Sequence, residues 1–383
     1  MVPSSMKQLC TFFAGVVLLA GTAYGADKYW SGSGTWDTTT ANWGLAPGGP
    51  YNQLWADGDS ANFEGTAGTV TVAENIVISN LTVDVDNYLI TGNALLFASG
   101  GSLTVNSSGA AGNYGEACRI SCAISNTPAV FLNTPANTET VFAPASGSVS
   151  LGTIGGGGLI QMDGSTTGNT IASGSSSKLR LSGGEWTLLG NAAAYQHFAD
   201  AGTLIVNGQL TSNSRQLKVS VGATLSVIGT IGNGNANGIV FSGNTEGFSG
   251  SPGGTLKGTG IINQSTVLDV LTEATIAPGD PTGTLNVKSN SCIIRGNLDI
   301  TVDGDQNSLL TVGGSLSLSN ATLNVASLNT PAQAFVIATY DSLSGTFGTT
   351  NLPRSDWAID YNYNSANQIA VIPPARGTVI MLH

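Results

Sequence analysis

A short phrase, Gly-(Thr/Ser/Ala)-Leu-x-(Val/Leu), returns along the second half of the chain and restricts what the chain can fold into. It reads GTLIV at 202–206, GATLSV at 222–227, GTLNV at 283–287 and GGSLSL at 313–318. GGTLKG at 253–258 is a looser copy, and GGSLTV at 100–105 an early one. The phrase's leucines are Leu204, Leu225, Leu256, Leu285 and Leu316, at steps of roughly 20–30 residues, the range of stacked repeats. Each copy joins a glycine turn to alternating apolar and polar residues, the period of a strand with one buried face. Short strands recurring at such steps cannot bury that face alone, whereas stacking the units buries a continuous core. The pattern predicts an all-β fold, a parallel β-helix, with all five leucines pointing inward. Coils of about 27 residues over 66–330 would give about ten coils at a spacing of about 4.8 Å.

Composition agrees with one elongated body. The chain has 52 glycines, 41% hydrophobic residues and 9% charged residues, which suits turns and β-strands and excludes a charge-rich disordered tail. A net charge of −11 argues against nucleic acid or anionic lipid as a partner. Residues 1–25 read as an export signal: Lys7 precedes an apolar run from Leu9 to Ala20, and Ala23 and Gly25 place small residues before a cleavage site. No later run approaches the length of a membrane span, so the mature chain is expected to be secreted or on the cell surface. Cys118, Cys122 and Cys292 remain after the leader. On one strand, Cys118 and Cys122 would face the same way about 13 Å apart, beyond the reach of about 7 Å for a disulfide. They are expected to be buried thiols.

Residues 26–65 hold four of the six tryptophans, Trp30, Trp36, Trp43 and Trp55. Such residues could stack on sugar rings as a glycan contact. Their position directly before the first regular strands favours an N-terminal cap that shields an open coil end. Residues 66–330 form the repeat region, within which AAAYQHFAD at 192–200 is the best candidate for a short helix or loop excursion. Residues 331–372 change character, with Phe335, Tyr340, Phe347, Trp357, Tyr361 and Tyr363, as suits a closing cap.

Three blocks carry a family resemblance. Trp30, Trp36, Asn42-Trp43, Trp55, Gly58-Asp59 and Phe63 match a W-x-G-x-G-x-W…NW…W…GD-x-A-x-F opening. GTGIIN…ATIAPGDPTGTLNV at 258–287 matches a G-x-G-x-I…LAPG-x-SPGTL-x-V repeat, and 342–371 match a final unit. On these residues the chain resembles secreted bacterial proteins with autotransporter-associated β-strand repeats, which often end in a PEP-CTERM sorting signal. The resemblance implies a right-handed parallel β-helix that is exported and displayed or released. Self-transport is not expected, since it needs a further C-terminal barrel of at least about eight strands. Residues 373–383 resemble a degenerate sorting signal, with Pro373-Pro374-Ala375 in place of Pro-Glu-Pro and an apolar part only from Gly377 to Leu382.

Catalysis finds little footing in this sequence. Glycoside hydrolysis wants paired carboxylates across a cleft, and lyase chemistry an acidic cation site with a basic residue. Asp299, Asp303 and Asp305 are the nearest acidic group and a weak candidate for calcium, which takes six to eight oxygens. His197 and His383 are the only histidines, which disfavours a histidine-based metal site or triad. His197 reads as a packing or surface residue. No phosphate-binding loop opens a helix, and no cofactor is expected. The sequence therefore points to a non-catalytic structural or adhesive repeat protein of the cell surface or extracellular matrix. Its expected partners are extracellular polysaccharide or cell-surface components, and a polysaccharide-binding protein or β-helical lyase or hydrolase is the rival reading.

Overall fold

The computed structural model describes residues 25–109, 114–212, 217–232, 239–241, 244–245, 248–249 and 253–374. The export signal at 1–25 and the sorting-signal tail at 373–383 lie almost wholly outside the described residues. The chain winds into a parallel β-solenoid of about 11 turns, with strands of successive coils paired in register along three faces. At about 4.8 Å per coil the stack is about 53 Å long.

The first face shows how the repeated phrase works. Trp186, Leu204, Leu225, Leu256, Ile276, Leu298 and Leu323 are paired one above another on consecutive coils. Most of their steps are close to about 20 residues, the short end of the range for stacked repeats, so the coils are shorter than expected. The longest step, from Leu225 to Leu256, is a coil with an excursion, where Asn244–Thr245 and Phe248–Ser249 pair antiparallel. The second face stacks Leu210, Ile231, Ile262, Val287 and Val312. The third stacks Val70, Ile90, Ile120, Phe142, Met162 and Leu181 in the first half of the chain. It continues in the second half as Leu268, Cys292, Leu316 and Leu343.

All five marker leucines are buried, but they do not form one ladder. Leu204, Leu225 and Leu256 stack together. Leu285 instead pairs with Leu310 on the second face, and Leu316 with Cys292 on the third. The phrase encodes an inward–outward alternation after a glycine turn, and any face can use it. The steps from Leu256 to Leu285 and from Leu285 to Leu316 are therefore one coil plus one side of the next.

Glycine has a specific task at one corner. Gly190, Gly208, Gly229 and Gly260 follow the first-face rungs by four residues, and a Cβ on each of the last three would collide with the carbonyl of the glycine one coil earlier. The coils approach closely there, which only glycine permits.

Two expectations are corrected. The segment 192–200 is no helix or excursion: Ala192–Ala199 is a strand paired in parallel with Asn169–Leu181 on one side and with Gln209–Ser212 and Leu217–Val219 on the other. Ala192 and Ala194 are buried and Ala193 between them is not, the alternation of a strand. The expected coil length is the second, for the reason just given. The cysteine expectation agrees with the structure: Cys118, Cys122 and Cys292 are buried and unpaired with one another, and burial pushes the Cys118 thiol well up and that of Cys292 to about 12.

One polar rung of the interior ties coils together by hydrogen bonds. Asn169 lies fully buried beneath Trp186. Its Oδ1 accepts from the Val149 N–H at 2.9 Å and its Nδ2 donates to the Glu185 carbonyl at 2.9 Å, tying the adjacent coils. Leu225, between Leu204 and Leu256, makes the stacking testable. Leu225→Ala should lower unfolding free energy by roughly 2–5 kcal/mol through the cavity it leaves, read from denaturant midpoints. A loss below about 0.5 kcal/mol would contradict the stacked register.

Candidate binding surfaces

The alternation that drives leucine inward drives threonine outward. Thr203, Thr224, Thr255, Thr275, Asn297, Thr322 and Thr349 pair in register on seven consecutive coils. At about 4.8 Å per coil they make a straight row about 29 Å long. Apart from a 3.4 Å bond from Asn297 Nδ2 to Thr275 Oγ1, no described residue hydrogen-bonds the side-chain hydroxyls of this row. Two residues further along each strand runs a second row, in which Asn324 donates to Asp299 and Asn351 donates to Asn324, each at 2.7 Å. A similar file joins Asp84, Asn106 and Asn133 near the other end, at 2.6 and 2.8 Å. Each threonine hydroxyl offers one donor and two acceptor positions, so the row presents hydrogen-bonding groups at a fixed repeat.

The four N-terminal tryptophans contribute no such surface, which corrects the glycan-contact expectation. Trp30, Trp36, Trp43 and Trp55 are 2%, 0%, 0% and 3% exposed. Trp36 packs edge-to-face on Trp43 at 5.0 Å and on Trp55 at 4.9 Å, and Trp30 meets Trp43 at 5.0 Å. Phe63 lies beneath them at 5.7 Å from both Trp36 and Trp43. The indole faces are occupied by one another, so none is open to a pyranose ring. Antiparallel bridges from Tyr29 to Gly44 and from Trp43 to Gln53 fold the segment across the first coil. The Tyr88 hydroxyl locks it further: it accepts from the Gly32 N–H at 3.2 Å and lies within 2.9 Å of the Glu64 and Thr66 carbonyls.

The calcium candidate is also corrected. Asp299 and Asp303 share the outer face of the strand Asn297–Asp303, but four residues of extended chain hold them about 13 Å apart. Each is taken by an asparagine of the next coil, Asn324 and Asn329 respectively, while Asp305 sits exposed in the following turn. Among the described residues no group of three His, Cys, Asp or Glu side chains is placed to hold a metal ion. His197 is a core residue between Leu179 and the start of Leu217–Val219. Its Nε2 lies 2.8 Å from the Thr211 carbonyl, and burial pulls its pKa down to about 4, so the ring is neutral.

One constellation escaped the sequence reading. Glu139–Phe142, Leu159–Met162, the end of Asn169–Leu181 and the end of Ala192–Ala199 are buried on both faces. Their outward side chains, Glu139, Gln161, Lys178, Arg180 and Gln196, are therefore covered instead of solvated. Lys178 donates to Asn137 Oδ1 at 2.7 Å and to the Tyr114 hydroxyl at 3.1 Å, with its ammonium over the Tyr114 ring. Arg180 meets Asp200 at 2.7 Å and lies over the Phe198 ring. Burial raises the Glu139 pKa to about 7, against the pull of the Arg180 guanidinium. A hint was available: long polar side chains recur at two neighbouring outward registers, Glu139, Lys178 and Gln196 at one and Gln161 and Arg180 at the other. Period-two patterning assigns such residues to water, so the hint alone does not reveal the cover.

No protein-family model matches the chain. In an alignment of 255 residues that takes in 56% of the chain, it is 30% identical to the Adhesin BmaC autotransporter of Brucella suis biovar 1 (strain 1330). That stretch covers 7% of the adhesin, so the chain spans well under a tenth of that relative's length.

The Glu139 environment sets a pH dependence. Its folded pKa of about 7 lies above the ordinary 4.5, so the folded state holds the extra proton. The associated stability is complete below about pH 4.5 and is lost as pH rises through about 7. Melting temperatures of the native chain and Glu139→Gln, compared at pH 5 and pH 8, should show the native chain losing more stability on going to pH 8. Equal losses in both would contradict the linkage.

Proposed function

We propose that this chain is an exported, non-catalytic adhesive repeat protein, displayed at the cell surface or released, whose Thr/Asn row is its contact with extracellular polysaccharide or cell-surface components. The observation that carries the reading is the seven-coil row, regular on a solenoid and with one side-chain bond along it, together with the likeness to an autotransporter adhesin. In this reading the solenoid is passenger-like, built for length and surface. Residues 1–25 direct export, and 26–65 and 331–372 close the two ends. Residues 373–383 descend from a PEP-CTERM sorting signal. No helix among the described residues is long and apolar enough to cross a membrane.

A rigid row binds an extended polymer by many weak bonds. Each protein–ligand hydrogen bond contributes about 0.5–1.5 kcal/mol, and matching repeats make the contributions accumulate along one ligand. The second reading is polysaccharide cleavage; Glu139 has a raised pKa of the kind a general acid needs, but its carboxyl is covered and 4% exposed, which favours the adhesive reading. Depolymerisation assays on polyuronates and β-glucans separate the two readings: cleavage lost in Glu139→Gln would favour the enzyme.

The row itself is tested by replacing Thr224, Thr255 and Thr275 together with alanine. Three lost hydrogen bonds should weaken attachment to polysaccharide-coated surfaces by about tenfold or more, with the circular dichroism and melting temperature kept. Undiminished attachment would remove the row from the adhesive function.

A further inference from the structure

One turn of the chain leaves its own coil and is clasped onto the coils above. Residues 134–138 join the strand Ala129–Asn133 to Glu139–Phe142 and close on a hydrogen bond from the Thr138 N–H to the Pro135 carbonyl at 2.9 Å. The turn leans over the next coil, where two glycines make room for it. A Cβ on Gly158 would collide with Thr134 Oγ1, and one on Gly157 would stand 3.2 Å from the Thr134 carbonyl oxygen. The far side of the turn meets Lys178, which the pairing of Glu139 with Leu159 and of Leu159 with Lys178 places two coils above Glu139. Lys178 Nζ donates to Asn137 Oδ1 at 2.7 Å, and the Tyr114 N–H donates to the Asn137 carbonyl at 2.7 Å. Residues 134–138 therefore form a strap with Asn137 as its clasp.

Closure has a cost at the root of the strap. Glu139 follows it directly and is buried, and both Thr134 Oγ1 and Glu139 Oε1 are enclosed without a hydrogen-bond partner among the described residues. Such unmet groups oppose the closed form. The charges that face Glu139 are engaged elsewhere. On the coil below, Glu116 is held by Arg119, which also reaches Asp163 at 3.6 Å. On the coils above, Arg180 meets Asp200 at 2.7 Å, and Lys178 holds Asn137 and the Tyr114 hydroxyl. An ionised Glu139 adds an unsolvated charge beside that of Glu116. Burial accordingly raises its pKa to about 7, with Glu116 adding to the rise and Arg180 and Arg119 opposing it.

We infer that residues 134–138 are a pH-operated strap, clasped while Glu139 is protonated and lifted when Glu139 ionises, which bares Glu139 and Lys178 to solvent. The device stands independently of the adhesive reading. Glu139 titrates at about 7 in the clasped form and at its ordinary 4.5 once open. Opening therefore becomes more favourable as pH rises between those two values and changes no further above them. The clasp is firm below about pH 4.5, and the part of its strength that the proton supplies is lost as pH passes about 7.

Hydrogen–deuterium exchange on the full chain tests the strap, with the amides of 134–139 corrected for intrinsic rate and read where reclosing outruns exchange. Between pH 5 and pH 8 the opening constant of the strap should rise by about tenfold or more. The strands that carry Leu204, Leu225 and Leu256 should stay protected over the same range. Glu139→Gln should abolish the rise, and Asn137→Ala should open the strap at both pH values. The inference is overturned if the native strap opens equally at pH 5 and pH 8, or if Glu139→Gln keeps the rise. It is overturned as well if Asn137→Ala leaves the strap as protected as in the native chain. Loss of protection in the core strands in parallel with the strap also overturns it, since the solenoid is then loosening as a whole.

Discussion

Every coil of this protein depends on its two neighbours for backbone hydrogen bonds and for cover over its apolar side chains. In a parallel ladder a strand's N–H and C=O groups point to the coils above and below, so no coil is satisfied alone. The side chains obey the same constraint. Leu225 is buried because Leu204 and Leu256 lie on either side of it, and each of these is buried for the same reason. Stability in such an array is a sum over adjacent contacts, and its weak points are the two ends and any rung that breaks the pattern.

Aromatic side chains gather at both ends of the stack. At the first coil, Trp30, Trp36, Trp43 and Trp55 pack on one another and on Phe63. At the last, Phe335 meets Trp357, and Phe347 meets Tyr361, whose hydroxyl accepts from the Phe347 N–H at 3.1 Å. There the chain also turns back on itself, so that Gln368–Ile372 runs antiparallel to Phe335–Thr339. Irregular rungs are handled by hydrogen bonds. Asn169 bonds the backbone of neighbouring coils, and His197 stays neutral against the Thr211 carbonyl. A buried polar group without such partners costs about 1–3 kcal/mol, which these two side chains avoid in part through the bonds they make to the backbone.

The proposed function rests on the outer half of the same alternation. The stacking that aligns Leu204, Leu225 and Leu256 also aligns Thr203, Thr224 and Thr255 one residue away. A regular outer row therefore comes with a regular core, and its spacing is set by hydrogen bonds between coils. That rigidity lowers the entropy lost when an extended ligand is held. The covered patch around Glu139, Lys178 and Arg180 departs from this plan, since its outward residues are buried, with Lys178 bonded to Asn137 and Arg180 to Asp200.

The sequence by itself determined the repeat, the all-β stacking and the inward direction of the marker leucines, because a period of two and a glycine turn act within single strands. It did not determine which face each copy occupies. Unequal coil lengths let Leu285 and Leu316 slip to the second and third faces, and only pairing between distant strands fixes that register. It also read Ala192–Ala199 as a helix or excursion, since local propensity carries no record of the neighbouring coils that make it a strand. The tryptophans were visible as a block, but whether their faces meet water or one another depends on how the segment folds over the first coil. The Glu139 cluster was hidden for the same reason. Its polar residues lie at outward positions, and burial there comes from segments distant in sequence, such as Tyr114 and Asn137 beside Lys178. What lies within a strand can be read from its residues, whereas what covers a strand is decided by tertiary structure, because cover is a relation between parts of the chain that the local pattern does not connect.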